Sequence, residues 1–451
     1  MKTIVAIATG ITSSGISIIR LSGENAFSIA QNALKSKRVE QMENRKMYLC
    51  NLTFGDVCDK GLVVKFVAPN SFTGENVVEF HLHGSVKLAE CAVEFFCSCG
   101  AELASKGEFS KRAFLNGKLS LEEAEAVTDL INSESKAELN ASFNLIVGKL
   151  KQEITSLQDV LTDVIAEIDV AIDYPEEDIS YATENQIKIK LEKIILNIKN
   201  LLEKSKTGVK IKNGVRICLV GKPNVGKSSL LNALLNYDKA IVTEIAGTTR
   251  DVVEGSFEFN GVKFNIFDTA GIRESCDKVE SIGIEKSKNA IKQCDIILCL
   301  LDVSTAIEKQ DQDVLNLVKT QIGKPIVVLF NKSDIAIKNF NVELNFSCEK
   351  VLNFSTKQNS DVQNLKQTLF NLSFNEGLNS NELYISNERH IECLKNALKS
   401  LENAINQIGT VGLECLCLDV KNAWNFLGEV TGKYINEEVL DAIFSKFCLG
   451  K

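Results

Sequence analysis

The chain has 451 residues, 45% hydrophobic and 24% charged, an ordinary globular balance that suggests roughly three domains at about 150 residues each. Its 51 Lys and Arg against 59 Asp and Glu give a net charge of −8, which excludes a broadly basic nucleic-acid coat but not a local RNA-binding face. No apolar run approaches the ~20 residues of a bilayer span, and the 14 Cys include no C-x-x-C pair, so neither a membrane protein nor a zinc ribbon is expected.

The apolar stretch after Met1 is too short for a secretion signal and reads as a first strand. With scattered, reduced thiols, this points to the cytoplasm. Residues 1–118 carry short alternating runs: Ser17–Leu21, Gly61–Val67 and Val77–His83 read as strands, Ala26–Lys35 and Lys87–Cys97 as helices. A mixed α+β domain follows from that pattern. The character changes at Ser120-Leu-Glu-Glu123, a capping box that opens a helical run to Tyr174. Pro175 ends the run inside the acidic stretch Asp173–Asp178, and a further helix spans Glu184 to about Lys206. Residues 119–210 therefore form a first helical block.

Residues 215–372 alternate buried strands with polar-faced helices, the pattern of a parallel α/β sheet. The predicted strands are Val215–Val220, Lys263–Asp268, Ile296–Asp302, Pro325–Asn331 and Val351–Ser355. Residues 378–451 are helical again, in three amphipathic segments: Asn381–Gln407, Gly412–Val430 and Glu437–Phe447. Two one-sided helical blocks flanking an α/β block are best paired into one discontinuous helical domain, with the α/β domain inserted.

The α/β block carries the chemistry. Gly221-Lys-Pro-Asn-Val-Gly-Lys-Ser228 fits the phosphate loop G-x-x-x-x-G-K-S and lies between a strand and a helix, as that motif requires. Lys227 offers charge to the β/γ oxygens and the Ser228 hydroxyl can hold Mg²⁺. Asp268-Thr-Ala-Gly271 ends the next core strand; Asp268 can reach the metal through water and the Gly271 amide the γ-phosphate. In the loop Gly247-Thr-Thr-Arg-Asp251, Thr249 can complete the metal shell. Asn331-Lys-Ser-Asp334 follows a later strand, and the Asp334 carboxylate can accept both N1–H and the exocyclic amine of guanine, which adenine lacks. Ser355-Thr-Lys357 supplies a loop behind the base. The GTP site so assembled comprises Asn224, Val225, Gly226, Lys227, Ser228, Ser229, Thr243, Glu244, Ile245, Ala246, Gly247, Thr248, Thr249, Asp268, Thr269, Ala270, Gly271, Asn331, Lys332, Asp334, Ser355, Thr356 and Lys357.

Ile272 stands where many GTPases carry a water-orienting Gln, so another group must serve. Asn224 suits a monovalent cation, whose shell Thr243, the Ile245 backbone and Thr248 can close. Glu280 can act through water or be a plain surface acid. His81 and His83 share a strand face, which allows a metal pair or a half-buried structural role. Trp424 reads as core.

Both ends of the chain, taken with these motifs, resemble the tRNA modification GTPase family MnmE, also called TrmE. The resemblance rests on Ile18-Ile-Arg-Leu-Ser-Gly23, Asn70-Ser-Phe-Thr-Gly-Glu75, Gly107-Glu-Phe-Ser-Lys-Arg-Ala-Phe-Leu-Asn-Gly-Lys118, Ile245-Ala-Gly-Thr-Thr-Arg-Asp251 and Cys448-Leu-Gly-Lys451. It implies an N-terminal α+β domain that binds a 5-formyl-tetrahydrofolate-type cofactor and forms a homodimer. It also implies a discontinuous α-helical domain and an inserted Ras-like P-loop GTPase domain. Family members act with the FAD-containing protein MnmG, in a heterotetramer or larger complex, on C5 of the wobble uridine of certain tRNAs. By position, Ser228 and Thr249 match the Mg²⁺ ligands. Asn224, Thr243, Ile245 and Thr248 match the K⁺ loop. Glu280 matches the catalytic glutamate, acting beside Lys227, and Arg20, Glu79, Lys118 and Lys451 match the folate contacts. Cys448 is either a nucleophile or a packed residue beside the cofactor. Two departures stand out: Ser85 where the family has a second Gly after His83, which would be strained at φ > 0, and Thr356 where Ala is common. A competing reading is a regulatory switch GTPase that binds RNA or ribosome without modifying it. That reading expects an RNA-binding appendage after the GTPase block, where only helices are found.

Overall fold

The structure is a computed structural model that describes residues 2–35, 38–173, 181–235, 255–268, 291–321, 323–337, 340, 342–375, 377–410 and 412–451, without the side chains of 181–184 and 268. The chain divides into two compact units. The first comprises Met1–Ile131, Phe143–Ile198 and Glu392–Lys451; the second comprises Asn132–Ser142 and Lys199–Ile391.

The first unit opens with an α+β layer. Its strands are β1 (Ile4–Ile7), β2 (Ile16–Ser22), β3 (Tyr48–Phe54), β4 (Val57–Phe66), β5 (Val77–His83) and β6 (Glu102–Leu103). They form one sheet in the order β3-β4-β5-β2-β1-β6, antiparallel except for β1 with β6. Helices α1 (Ala26–Gln31), α2 (Val86–Ser98) and α3 (Glu108–Leu115) complete the layer. Alternation drives the sheet: Ile19, Leu21, Val78, Phe80 and Leu82 point to one face and are buried with Ala89, Ala92 and Phe96 of α2. Ser85 has φ −83° and caps α2 by accepting from the Leu88 N–H at 3.4 Å. The missing glycine after His83 therefore costs nothing, because the position is an extended N-cap.

Helices α4 (Leu121–Asn132), α5 (Lys136–Ile146), α6 (Lys149–Asp173) and α7 (Tyr181–Asn213) follow. The run expected to continue from Ser120 to Tyr174 is thus broken twice, at Ser133–Ser135 and at Val147–Gly148, where Gly148 takes φ +78°. Only half of the capping box forms. Glu123 Oε2 accepts the Ser120 N–H at 2.8 Å, but the Ser120 hydroxyl donates to Glu122 Oε1 at 2.7 Å.

The second unit holds β7 (Val215–Val220), α8 (Lys227–Leu235), β8 (Gly255–Phe259), β9 (Val262–Asp268), β10 (Ile296–Asp302), α9 (Lys309–Lys319), β11 (Ile326–Asn331), β12 (Lys350–Phe354) and α10 (Asn359–Ser373). The sheet order is β12-β11-β10-β7-β9-β8, parallel but for the β8–β9 hairpin. Strand β10 is buried along its whole length, as a central strand covered on both faces must be. Separate apolar cores fill the two faces, one around Phe264, Leu298 and Phe354, the other around Cys299, Leu301 and Val328. Strand β8 has no counterpart among the predicted strands. Its turn is Asn260-Gly261, with φ +49° and +79°, a pairing of residue types that favours a tight hairpin.

The chain then returns to the first unit with α11 (Glu388–Gln407, from Glu392 onward), α12 (Leu413–Val430) and α13 (Glu437–Phe444). Helix α12 packs along α6: Gln158 Nε2 donates to Trp424 O at 3.0 Å and Trp424 Nε1 to Thr162 Oγ1 at 3.1 Å. Trp424 is half-buried rather than core, with its ring against Tyr434. Leu440, Phe444 and Phe447 bury against Leu121 and Ala124, and Lys111 of α3 pairs with Asp441 of α13. No two of the described cysteines are joined in a disulfide. Among the described residues no helix is long and apolar enough to cross a membrane.

Candidate functional site

In the second unit the phosphate loop leaves β7 at Gly221 and enters α8 at Lys227. Asn224 has φ +61° and Gly226 φ +101°. A Cβ on Gly226 would lie 2.3 Å from Asn331 Nδ2, so only glycine lets the loop pass there. That same Asn331 nitrogen donates to Val225 O at 2.7 Å and fastens the loop to the end of β11. Lys227 is 6% exposed and curls over its own loop, donating to Gly221 O at 2.8 Å and Lys222 O at 3.0 Å. Ser228 and Ser229 sit exposed in the first turn of α8.

Directly after Asn331 the chain adopts a left-handed backbone at Lys332 (φ +62°), which turns its side chain back toward the loop. Lys332 Nζ donates to Asn224 O at 3.3 Å and pairs with Asp302 Oδ2 at 2.5 Å. Asp302, at the end of β10, was not a sequence candidate. Burial raises its carboxyl, but the hydrogen bonds from Lys332 and Ser304 overcome this and hold it below the usual range. Asp334 Oδ1 accepts from Ser355 Oγ at 2.9 Å and Oδ2 from Lys357 Nζ at 2.8 Å. The Lys357 bond, then Ser355, keeps the Asp334 carboxyl low, so it stays an anion able to accept two donors. Thr356 is half-buried between them. The structure thus brings Asn224, Val225, Gly226, Lys227, Asn331, Lys332, Asp334, Ser355 and Lys357 into one connected set. The backbone of Asp268 ends β9 beside Leu219. Thr243, Glu244, Ile245, Ala246, Gly247, Thr248, Thr249, Thr269, Ala270, Gly271, Ile272 and Glu280 lie outside the described residues, as does the acidic turn around Pro175.

In the first unit a second polar cluster sits on β2 and β5. Arg20 and Glu79 are direct cross-strand partners, and Arg20 Nε donates to Glu79 Oε1 at 2.8 Å. The guanidinium lies between the rings of Phe72 and Phe109, 5.6 Å from each centroid. Burial raises the Glu79 carboxyl, while the adjacent His81 ring and the Arg20 charge outweigh it and set it below the ordinary value. His81 Nε2 lies 3.5 Å from Glu79 Oε2, and this buried nitrogen has no hydrogen-bond partner among the described residues. His83 turns elsewhere, to Asp59 Oδ1 at 2.6 Å. Among the described residues no His, Cys, Asp and Glu group is placed to hold a metal.

Lys451 sits near Arg20: burial and the Arg20 charge both lower its ammonium pKa. Lys118 packs against the loop that carries Phe72, its Cε 3.3 Å from where a Gly74 Cβ would stand. Gly450 (φ +86°) seats the terminal segment on β1, since a Cβ there would be 2.1 Å from Ile7 O. Cys448 is exposed; its carbonyl accepts the Gly107 N–H at 3.3 Å, and no base is bonded to its thiol among the described residues. A network missed in the sequence supports the cluster: buried Arg112 pairs with Glu75 at 3.1 Å and Glu108 at 2.7 Å. The signal was present in the quoted segments around Glu75 and Glu108, but not the pairing.

Comparison with known proteins covers both units. Residues 3–118 match the family model described as the GTP-binding protein TrmE N-terminus, and residues 121–448 that of the MnmE helical domain. This chain belongs to the tRNA modification GTPase MnmE family. The tRNA modification GTPase MnmE of Aquifex aeolicus (strain VF5) is 38% identical over 455 residues, covering 100% of both chains. That of Clostridioides difficile (strain 630) is 36% identical over 457 residues, covering 100% of this chain and 99% of its own. That of Lactiplantibacillus plantarum is 38% identical over 458 residues, covering 100% and 98%. Membership makes the chain a GTPase of tRNA modification, built as an N-terminal α+β domain, a discontinuous helical domain and an inserted P-loop GTPase domain.

Proposed function

We propose that the chain hydrolyses GTP at the loop set of the second unit, with K⁺ activation, and drives C5 modification of the wobble uridine of tRNA. In this reading it works in the cytoplasm as a homodimer, in a heterotetramer or larger complex with the FAD-containing MnmG. Its domains are 1–118, 119–210 joined with 378–451, and 215–372. The observation that supports this reading most is the joining of phosphate loop and base-reading strand end through Asn331 and Lys332.

Hydrolysis needs positioning and charge, with no covalent intermediate. Lys227 leaves the Gly221 and Lys222 carbonyls for the phosphate oxygens. Asp334 selects guanine, and Ser355 and Lys357 keep its carboxylate aimed. Ser228 and Thr249 would hold Mg²⁺; Asn224, Thr243, Ile245 and Thr248 would hold K⁺, whose fixed positive charge would offset charge developing on the phosphates. Glu280 would orient the attacking water. The first-unit cluster fits a tetrahydrofolate of 5-formyl type. The Glu79 carboxylate and the unpartnered His81 nitrogen offer polar contacts to a pterin edge, and Arg20, Lys118 and Lys451 offer cations to an anionic tail. The bound folate would supply a one-carbon unit. Cys448 is taken here as a packed neighbour.

Gly450→Ala is expected to lift Lys451 off this cluster, because the close approach to Ile7 O and the positive φ both exclude a side chain. Titration calorimetry with 5-formyltetrahydrofolate should show affinity reduced by about tenfold or more, the loss of one charged contact. Unchanged affinity would remove Lys451 from the site.

The function as a whole is tested by nucleoside mass spectrometry of tRNA from cells lacking the protein, given it back intact or ending at Phe447. The C5-substituted uridine should return only with the intact chain. Unchanged nucleosides in the deletion would leave a switch GTPase.

A further inference from the structure

The second position of the phosphate loop, Lys222, does not point to solvent. Its side chain is 10% exposed, and its Nζ donates to Asp311 Oδ2 at 2.7 Å, on the first turn of α9, and to Glu308 Oε2 at 3.2 Å, the N-cap of that helix. Asp311 is 1% exposed. It also accepts the Glu308 N–H at 3.0 Å in a capping box, and its second oxygen, Oδ1, is buried with no hydrogen-bond partner among the described residues. Capping asks one hydrogen bond of a first-turn acid and leaves it at the surface. A carboxyl group buried this deeply calls for a partner beyond the cap, and Lys222 is the side chain that reaches it.

The same short stretch of loop is gripped twice. The Gly221 and Lys222 carbonyls accept Lys227 Nζ from the phosphate side, and the Lys222 side chain ties the stretch to α9 from behind. When a nucleotide draws Lys227 onto its phosphates, the front grip is released. What then keeps the loop in shape is the Lys222–Asp311 bridge, together with the Asn331–Val225 bond.

We infer that Asp311 is a positioning residue for the nucleotide: through Lys222 it holds the phosphate loop in its binding shape before and after Lys227 moves. The inference rests on the loop being the GTP site. The bridge lies behind the loop, so it acts on GDP and GTP alike and sets affinity rather than the chemical step. A loop that must be ordered by its ligand binds more weakly than one already shaped.

The test is fluorescence titration of the full chain with mant-GDP and a mant-labelled non-hydrolysable GTP analogue, beside kcat at saturating GTP and thermal melting. Asp311→Asn should raise both Kd values about tenfold, the cost of losing preorganisation, with their ratio unchanged and kcat within about twofold. Lys222→Arg, which keeps the bridge, should retain affinity close to that of the unaltered chain, whereas Lys222→Met should lose it. The double variant Lys222→Met with Asp311→Asn should bind no more weakly than the worse single one, since both remove a single interaction. A lowered melting temperature with unchanged Kd in Asp311→Asn would leave Asp311 as a helix cap alone and overturn the inference. So would additive losses in the double variant. Failure of the unaltered chain to bind either nucleotide would overturn the site reading and this inference with it.

Discussion

Asp334→Asn is expected to convert the guanine site into a xanthine site. In the structure both carboxylate oxygens are already aimed, one by Ser355 Oγ at 2.9 Å and the other by Lys357 Nζ at 2.8 Å. Guanine presents two donors on that edge, N1–H and the C2 amine, and two acceptor oxygens match them. An amide offers one acceptor and one donor, so its NH₂ would face the guanine amine donor to donor. Xanthine carries a carbonyl at C2 and restores the match. GTP affinity should fall by roughly a thousandfold or more, as expected when a site built to hydrogen-bond a group meets a mismatched partner. Xanthosine triphosphate should bind and turn over in its place. Both outcomes are read from titration and phosphate release with the two nucleotides. Retention of GTP affinity in the variant would place base recognition elsewhere than Asp334.

Glu122→Gln is expected to stabilise the protein at alkaline pH. Glu122 is 0% exposed; Oε1 accepts from Ser120 Oγ at 2.7 Å, and buried Oε2 has no hydrogen-bond partner among the described residues. Burial, helped by the neighbouring Glu123 charge and opposed by the Ser120 bond and Lys151, pushes its carboxyl up from 4.5 to about 7. Between those values the folded chain keeps a proton that the unfolded chain has released. The unfolded state then binds fewer protons, so stability falls as pH rises through this window. The contribution is whole below about pH 4.5 and lost above about pH 7, a change of roughly 3 kcal/mol. Glutamine mimics the protonated acid at every pH. Urea unfolding should give similar stabilities for the two chains at about pH 4 and an advantage for the variant of up to roughly 3 kcal/mol at about pH 8. A variant less stable than the parent at pH 8 would mean that the carboxylate is ionised and usefully paired.

The elements that a reader of the sequence could find are those whose physics is local. Val215–Val220 and Ile296–Asp302 were legible to the residue because a covered parallel strand is a dense apolar run, broken in the first only by Arg216 and closed in the second by Asp302. The phosphate loop and Asn331–Asp334 were legible because backbone approach to a ligand demands fixed residue types at fixed spacing. Breaks within a periodic stretch were not. No Gly or Pro marks Ser133–Ser135, where Ser135 Oγ accepts the Glu138 N–H at 3.3 Å and starts a new helix. Nor were pairings over distance. Lys222 meets Asp311 across 89 positions and Lys332 meets Asp302 across 30, and neither acid carries a local mark of its partner. Periodicity likewise marks Leu121 and Ala124 as buried but gives no sign that Glu122, between them, is buried too.

The interrupted course of the chain has a consequence for vectorial synthesis. Leu121 and Ala124 emerge early, yet Leu440, Phe444 and Phe447, which cover them, come more than 300 residues later. At roughly 5–20 residues per second the ribosome needs some tens of seconds to supply them. The second unit, ending at Ile391, is by then fully translated. The part of the protein made first is therefore the part completed last, and its apolar face must wait, exposed, for the final turns of the chain.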